Sequence, residues 1–142
     1  MSTSLPPAIV FSDWDGTITL QDSNDYLTDN IGMGYDNRMI INDKILEGKQ
    51  SFRDGFKEML ASINKPFNEC IEILLQNVQL DPGFKDFYQY CQSKNIPIIV
   101  ISSGMKPIIY ALLEKLIGQE AIKTIDIISN DVRVDGDNWE IL

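Results

Sequence analysis

Short apolar runs that end in small or polar residues alternate along this chain with longer stretches of helical period. Ala8-Ile9-Val10-Phe11 is unbroken and mostly β-favouring, and it stops at Ser12-Asp13-Trp14-Asp15-Gly16-Thr17. A run of that kind, bounded by turn residues, predicts a buried strand entering a loop. Ile96-Pro97-Ile98-Ile99-Val100-Ile101 predicts a second strand that gives way to the small residues Ser102-Ser103-Gly104, with a helix following from Pro107 to Ile117. Thr124-Ile125-Asp126-Ile127-Ile128 predicts a third strand, and Val132 to Ile141 alternates about Asp135-Gly136-Asp137-Asn138 as a hairpin does. Strands separated by helices predict an α/β fold with a parallel, doubly wound sheet covered by helices on both faces.

The stretch between the first two strands is too long for a simple crossover and reads as helical. Ser51 and Asp54 have capping-box spacing, and Phe52, Phe56, Met59, Leu60 and Ile63 repeat with helical period. A further helix is expected from about Asn68 to Val78, and Asp81-Pro82 supplies a cap and a first-turn proline for a helix carrying Phe84, Phe87, Tyr88 and Cys91. The expected organisation is a sheet domain formed by residues 1–21 and 81–142, with residues 22–80 as a helical insertion.

Composition narrows the function classes. A chain of 142 residues with 44% hydrophobic content suits one ordinary domain with a true core. Its net charge of -9 repels a phosphate backbone, which argues against nucleic acid as a partner. A small phosphate still binds where backbone amides and a divalent cation overrule the global field at one spot. With no His in the chain, a His-based triad and an imidazole zinc site are both excluded. Cys70 and Cys91 lack metal-ligand spacing and are expected as buried free thiols. The start MSTSLPPAIVF has no signal-peptide pattern, and no apolar run reaches the ~18 residues that span a membrane. A soluble cytoplasmic protein without a membrane partner is the expectation.

Asp13 and Asp15, one residue apart directly after a strand, can both face the crevice at the strand's carboxyl end, where open α/β sheets bind ligands. Two close carboxylates attract a hard cation, and magnesium accepts a few carboxylate oxygens together with waters and substrate phosphate. One carboxylate can attack phosphorus while the other protonates the leaving oxygen and later activates water. The amides of Gly16 and Thr17 are candidate donors to a phosphoryl oxygen. A calcium loop of the EF-hand type is excluded, since Asn24 stands where its bidentate glutamate belongs and no helix precedes the loop.

The strand followed by Asp13-Trp14-Asp15-Gly16-Thr17 resembles the first motif, D-x-D-G-T, of the haloacid dehalogenase superfamily, and Ile98-Ile99-Val100-Ile101-Ser102 is similar to its second. The resemblance implies a Rossmann-like phosphohydrolase using Mg2+, with Asp13 as nucleophile and metal ligand and Asp15 as acid/base and metal ligand. It further implies that Ser102 holds the phosphoryl group, with Ser103 and Gly104 opening a helix whose first amides favour the anion. The insertion looks like the small cap of the phosphoserine-phosphatase-like branch, which implies substrate contacts from Asp22 and Arg53. Each of these also has a plain structural role on offer, Asp22 as a helix N-cap and Arg53 as a solvated first-turn residue.

The family's third-motif lysine and fourth-motif acidic pair find no match. Gly136-Asp137-Asn138 belongs to a hairpin, Ile141 stands where the next acid would be, and Lys106 is out of position for the lysine. The resemblance thus implies the front part of a family domain, with the Ala8–Phe11 strand left as an apolar edge open to self-association. Two functions follow as expectations. One is magnesium-dependent hydrolysis of a small phosphomonoester, the partner being a small phosphorylated metabolite. The other is an inactive or weakly active phosphate-binding or self-associating module.

Overall fold

The computed structural model describes residues 4–142. Five strands and seven helices follow in the order β1 (Val10–Ser12), α1 (Ser23–Ile31), α2 (Tyr35–Leu46), α3 (Phe52–Ala61), α4 (Phe67–Asn77), α5 (Phe84–Ser93), β2 (Ile98–Met105), α6 (Lys106–Ile117), α7 (Gln119–Ile122), β3 (Asp126–Asn130), β4 (Val132–Asp135) and β5 (Asn138–Ile141). They form two compact units, residues 1–20 with 79–130, and residues 21–78 with 131–142.

In the first unit β1, β2 and β3 form a parallel sheet in that order, with Val10 beside Ile98, Ser12 beside Val100, and Ile101 beside Ile128. Parallel neighbours need crossover connections, and α6 and α7 supply the one between β2 and β3. Ile98 and Val100 are buried on one face, where α6 packs against β2 and β3 through a core that includes Ile108, Ile109, Leu112 and Leu113. The Tyr88 hydroxyl of α5 lies 2.7 Å from Thr124 Oγ1 and donates to the Ala121 carbonyl at 3.3 Å, tying α5 to the α7 corner. The parallel α/β class is as expected. The strand ends are displaced, because hydrogen-bonded extension continues past the apolar run: β2 takes in Ser102, Ser103 and Gly104, and α6 starts only at Lys106. Near α5 the Asp81 carboxylate accepts from Gly83 N at 2.7 Å and shapes a turn, so the helix opens at Phe84, later than the Asp-Pro pair suggests.

The second unit packs α1 to α4 around Leu27, Ile41, Met59, Leu60, Phe67 and Leu74. Ser51 caps α3 as its spacing predicts, accepting from Asp54 N at 3.1 Å. Gly55, a helix-interior residue with an evident reason, faces α2 so closely that a Cβ there would lie 2.6 Å from Ile45 Cδ1. The hairpin β4–β5 has the expected antiparallel register, Asp135 beside Asn138. Its allegiance differs from the expected division at residues 81–142. Trp139 Nε1 donates to the Lys65 carbonyl at 2.9 Å, and its ring meets Phe67 edge-on at 5.1 Å. These contacts and the burial of Ile141 group the hairpin with the helices. Cys70 and Cys91 are buried free thiols, and burial raises both thiol pKa values, Cys70 to about 11. Among the described residues no helix is long and apolar enough to cross a membrane.

Candidate active site

The loop after β1 is built by one carbonyl and one hydroxyl. The Trp14 carbonyl accepts from the amides of Thr17, Ile18 and Thr19 at 3.2, 2.9 and 3.1 Å, and the Thr19 hydroxyl accepts from Gly16 N at 2.9 Å. Gly16 sits at φ +75°, a left-handed conformation that side chains rarely tolerate, so the turn requires glycine there. Trp14 and Ile18 are buried, and the alternation leaves Asp13 exposed and Asp15 half-buried. The Thr17 hydroxyl donates to Asp13 Oδ2 at 3.1 Å, and Ser12 Oγ donates to the Asp13 carbonyl at 2.8 Å.

The parallel pairing of Ser12 with Val100 brings Asp13 and Ser102 out at the same, carboxyl edge of the sheet. Asp13, Asp15, Thr17 and Ser102 therefore belong to one loop-and-strand-end region of the first unit. Two features depart from expectation. The Gly16 and Thr17 amides offered to a phosphoryl oxygen are engaged within the turn, the first by Thr19 Oγ1 and the second by the Trp14 carbonyl. Ser103 and Gly104 are strand residues and do not open a helix: Ser102 Oγ accepts from Gly104 N at 2.9 Å, and Asn130 Nδ2 donates to the Ser103 carbonyl at 2.8 Å. The β2–β3 pairing breaks register between Ile101 and Met105, the kind of irregularity that re-aims side chains beside active sites. Lys106 is the exposed first residue of α6.

Asp22 and Arg53 lie in the other unit. Asp22 is the N-cap of α1, its Oδ1 accepting from Asn24 N and Asp25 N, each at 2.9 Å. Arg53 is exposed in the first turn of α3. The capping role makes a direct prediction. Asp22→Ala is expected to cost about 1 kcal/mol in urea unfolding and Asp22→Asn only a few tenths, because Asn caps as well as Asp. Equal losses in both would mean that the negative charge, and not the cap, is what matters.

Residues with structural consequence that the sequence did not announce are Thr19, Asn130 and Arg38. Thr19 is a buried polar residue straight after a buried Ile, which is the available clue to its role. Arg38 of α2 is 8% exposed and bonds Asp29 through Nε at 2.6 Å and Nη2 at 2.9 Å, and Asp25 through Nη1 at 3.1 Å. Asp25 and Asp29 are four apart on α1, one helix face needing one cation. Burial, with Asp22 next in importance, raises the Asp25 pKa to about 6 against the pull of Arg38. Among the described residues no three Cys, Asp or Glu side chains gather as a metal cluster.

Residues 10–141 match the model of the haloacid dehalogenase-like hydrolases. The polyol phosphate phosphatase PYP1 of Saccharomyces cerevisiae is 54% identical over 136 residues, covering 95% of this chain and 56% of that protein. Pdp3-interacting factor 1 of Schizosaccharomyces pombe is 53% identical over 134 residues, covering 94% of this chain and 58% of that protein. The chain thus spans just over half the length of these curated relatives. In fold it is similar to a hydrolase of the same family from Salmonella enterica serovar Typhi, with a TM-score of 0.78 at 19% identity over 99% of this chain and 47% of that one. It is also similar to a phosphoserine phosphatase solved as a phospho-aspartyl intermediate analogue, with a TM-score of 0.69 at 15% identity over 97% of this chain and 64% of that one. With its loop after β1, its parallel sheet and a family match over nearly all its length, this chain belongs to the haloacid dehalogenase-like hydrolase family.

Proposed function

We propose that this chain carries the nucleophile and the acid/base of a phosphatase for small phosphomonoesters, with polyol phosphates as the substrate class. The observation that carries the reading is the Asp13–Thr17 hydrogen bond at the carboxyl edge of the sheet, with Asp15 two residues on. The substrate class rests on the name of the Saccharomyces relative. By holding Oδ2, Thr17 orients the Asp13 carboxylate so that Oδ1 is presented for attack. An Asp13 oxygen bonds to phosphorus, the P–O ester bond breaks, and Asp15 delivers its proton to the departing alkoxide. Asp15 then takes a proton from the water that attacks phosphorus, the bond between Asp13 and phosphorus breaks, and phosphate leaves with Asp13 again a carboxylate and Asp15 again protonated. Ser102, at the same edge, is the candidate donor to a phosphoryl oxygen.

The donor set suits magnesium: the Asp13 carboxylate and the Asp15 backbone carbonyl are hard oxygens, few in number, as this ion accepts when waters and phosphate complete its shell. When bound, the ion neutralises charge on the phosphoryl oxygens. Release of phosphate from glycerol phosphate and from p-nitrophenyl phosphate is expected with magnesium and expected to fall to background in chelator. Turnover that survives chelation would overturn the metal assignment, and no turnover on either ester would overturn the phosphatase reading. The buried free thiols Cys70 and Cys91 suit a reducing compartment, the cytoplasm. A second reading, a phosphate-binding module that acts by self-association, draws on β1 being an edge strand of the sheet.

A further inference from the structure

The carboxyl end of β2 departs from regular pairing. Ile101 stands beside Ile128 and Met105 beside Asn130, so Ser102, Ser103 and Gly104 together lie opposite Ser129 alone. A bulge takes backbone groups out of the ladder, and those that do not meet water need other partners. Two side chains supply them. Ser102 Oγ accepts from the amide of the buried Gly104 at 2.9 Å, and Asn130 Nδ2 donates to the Ser103 carbonyl at 2.8 Å. Since β3 runs parallel to β2, Asn130, its last residue, stands at the same carboxyl edge as Asp13 and Ser102.

We propose that Asn130 is a positioning residue for phosphoryl binding and acts through Ser102, a role that rests on the reading of Ser102 as the donor to a phosphoryl oxygen. Its backbone is a fixed post, in register with Met105, which is 1% exposed, and its carbonyl accepts from Ser129 Oγ at 3.1 Å. From that post the side-chain amide reaches back to the middle residue of the bulge and pins it, together with Ser102 on one side and Gly104 on the other. The pinned shape matters for the proton of Ser102. The bond from Gly104 N uses a lone pair of the Ser102 hydroxyl, so the hydroxyl proton is not spent in it and is left to donate to an anion. Without the Asn130 bond the bulge can re-form around other partners, and the hydroxyl then meets a bound phosphate at the wrong angle or distance. Only a donor can hold a carbonyl, which suits an amide at this position and excludes an ionised carboxylate.

The test titrates inorganic phosphate into the full chain in magnesium buffer by calorimetry and measures kcat and KM on p-nitrophenyl phosphate. It compares Asn130→Ala, Asn130→Asp, Ser102→Ala and the double variant Asn130→Ala with Ser102→Ala. Each Asn130 variant is expected to weaken phosphate at least about tenfold, the worth of one hydrogen bond to a charged group, with KM raised in step and kcat changed less. Asn130→Asp keeps the shape and loses the donor, so it is expected to cost at least as much as Asn130→Ala. In the Ser102→Ala background Asn130→Ala is expected to cost no further affinity, because the hydroxyl it positions is already gone; a general effect on the sheet would add instead. Asn130 is exposed, and circular dichroism checks that each variant keeps its fold. Three results overturn the proposal: no phosphate binding by the unsubstituted chain, an affinity indifferent to Asn130, or losses at Asn130 and Ser102 that simply add. Phosphate binding that depends on Asn130 without hydrolysis counts against the phosphatase reading alone, and hydrolysis indifferent to Asn130 counts against the positioning role alone.

Discussion

Asp13→Asn is expected to remove magnesium-dependent hydrolysis of p-nitrophenyl phosphate, by about three orders of magnitude or more. The change keeps shape and hydrogen-bond capacity: the Thr17 hydroxyl that donates to Oδ2 at 3.1 Å finds an amide oxygen in its place. What is lost is charge on the atom proposed to attack. A neutral amide is a poor nucleophile toward phosphorus and a weaker ligand for a cation, and loss of a covalent nucleophile alone can cost on the order of 10⁴–10⁶ in rate. Because Asp13 is exposed, its replacement should leave the unfolding midpoint unchanged, which separates a chemical loss from a structural one. Asp15→Asn is expected to lose less on this ester, about 10²–10⁴, the range for general acid–base groups. Nitrophenolate needs little help to leave, so the defect should fall on breakdown of the aspartyl-phosphate and show as a burst. Indistinguishable rates for Asp13→Asn and the unsubstituted chain would end the aspartyl-phosphate mechanism here.

The elements most legible in the sequence are those whose causes are local. The loop from Asp13 to Thr19 closes through bonds among its own residues, and Gly16 marks its left-handed turn. The Ser51 cap and the β4–β5 hairpin are likewise fixed by neighbours in the chain. Legibility falls where the cause is remote. Hydropathy ends β2 at Ile101, yet pairing with β3 keeps the backbone extended to Met105, so Ser103 and Gly104 become strand residues. The hairpin's place among the helices is not legible because it depends on Trp139 reaching the Lys65 carbonyl, 74 residues away in sequence. Sequence shows that the Gly16 turn exists but not that the turn itself consumes the Gly16 and Thr17 amides.

The Arg38 network is the contact set with the largest expected effect on stability. Arg38→Met keeps most of the stem volume and removes the guanidinium, leaving Asp25 and Asp29 facing each other on α1 with no cation between them. Breaking a fully enclosed pair costs about 3–5 kcal/mol, and here about 2–3 is expected because the partners keep some water, most of all Asp25, whose side chain is 43% exposed. The packing of the guanidinium over the Tyr35 ring, 5.3 Å from its centroid, is lost as well. The pH dependence has a definite sign. Asp25 already has a folded-state pKa raised to about 6 from 3.8, so folding takes up a proton between those values and stability falls as pH rises through them. Arg38 lowers that pKa, and its removal raises it further and extends the window toward neutral pH. Urea unfolding of Arg38→Met should therefore show a smaller deficit at pH 5, where Asp25 is largely protonated in the folded state, than at pH 8, where two uncompensated carboxylates share the α1 face. A deficit that is equal at both pH values would assign the loss to the Asp29 contact and to the guanidinium over Tyr35, and not to Asp25.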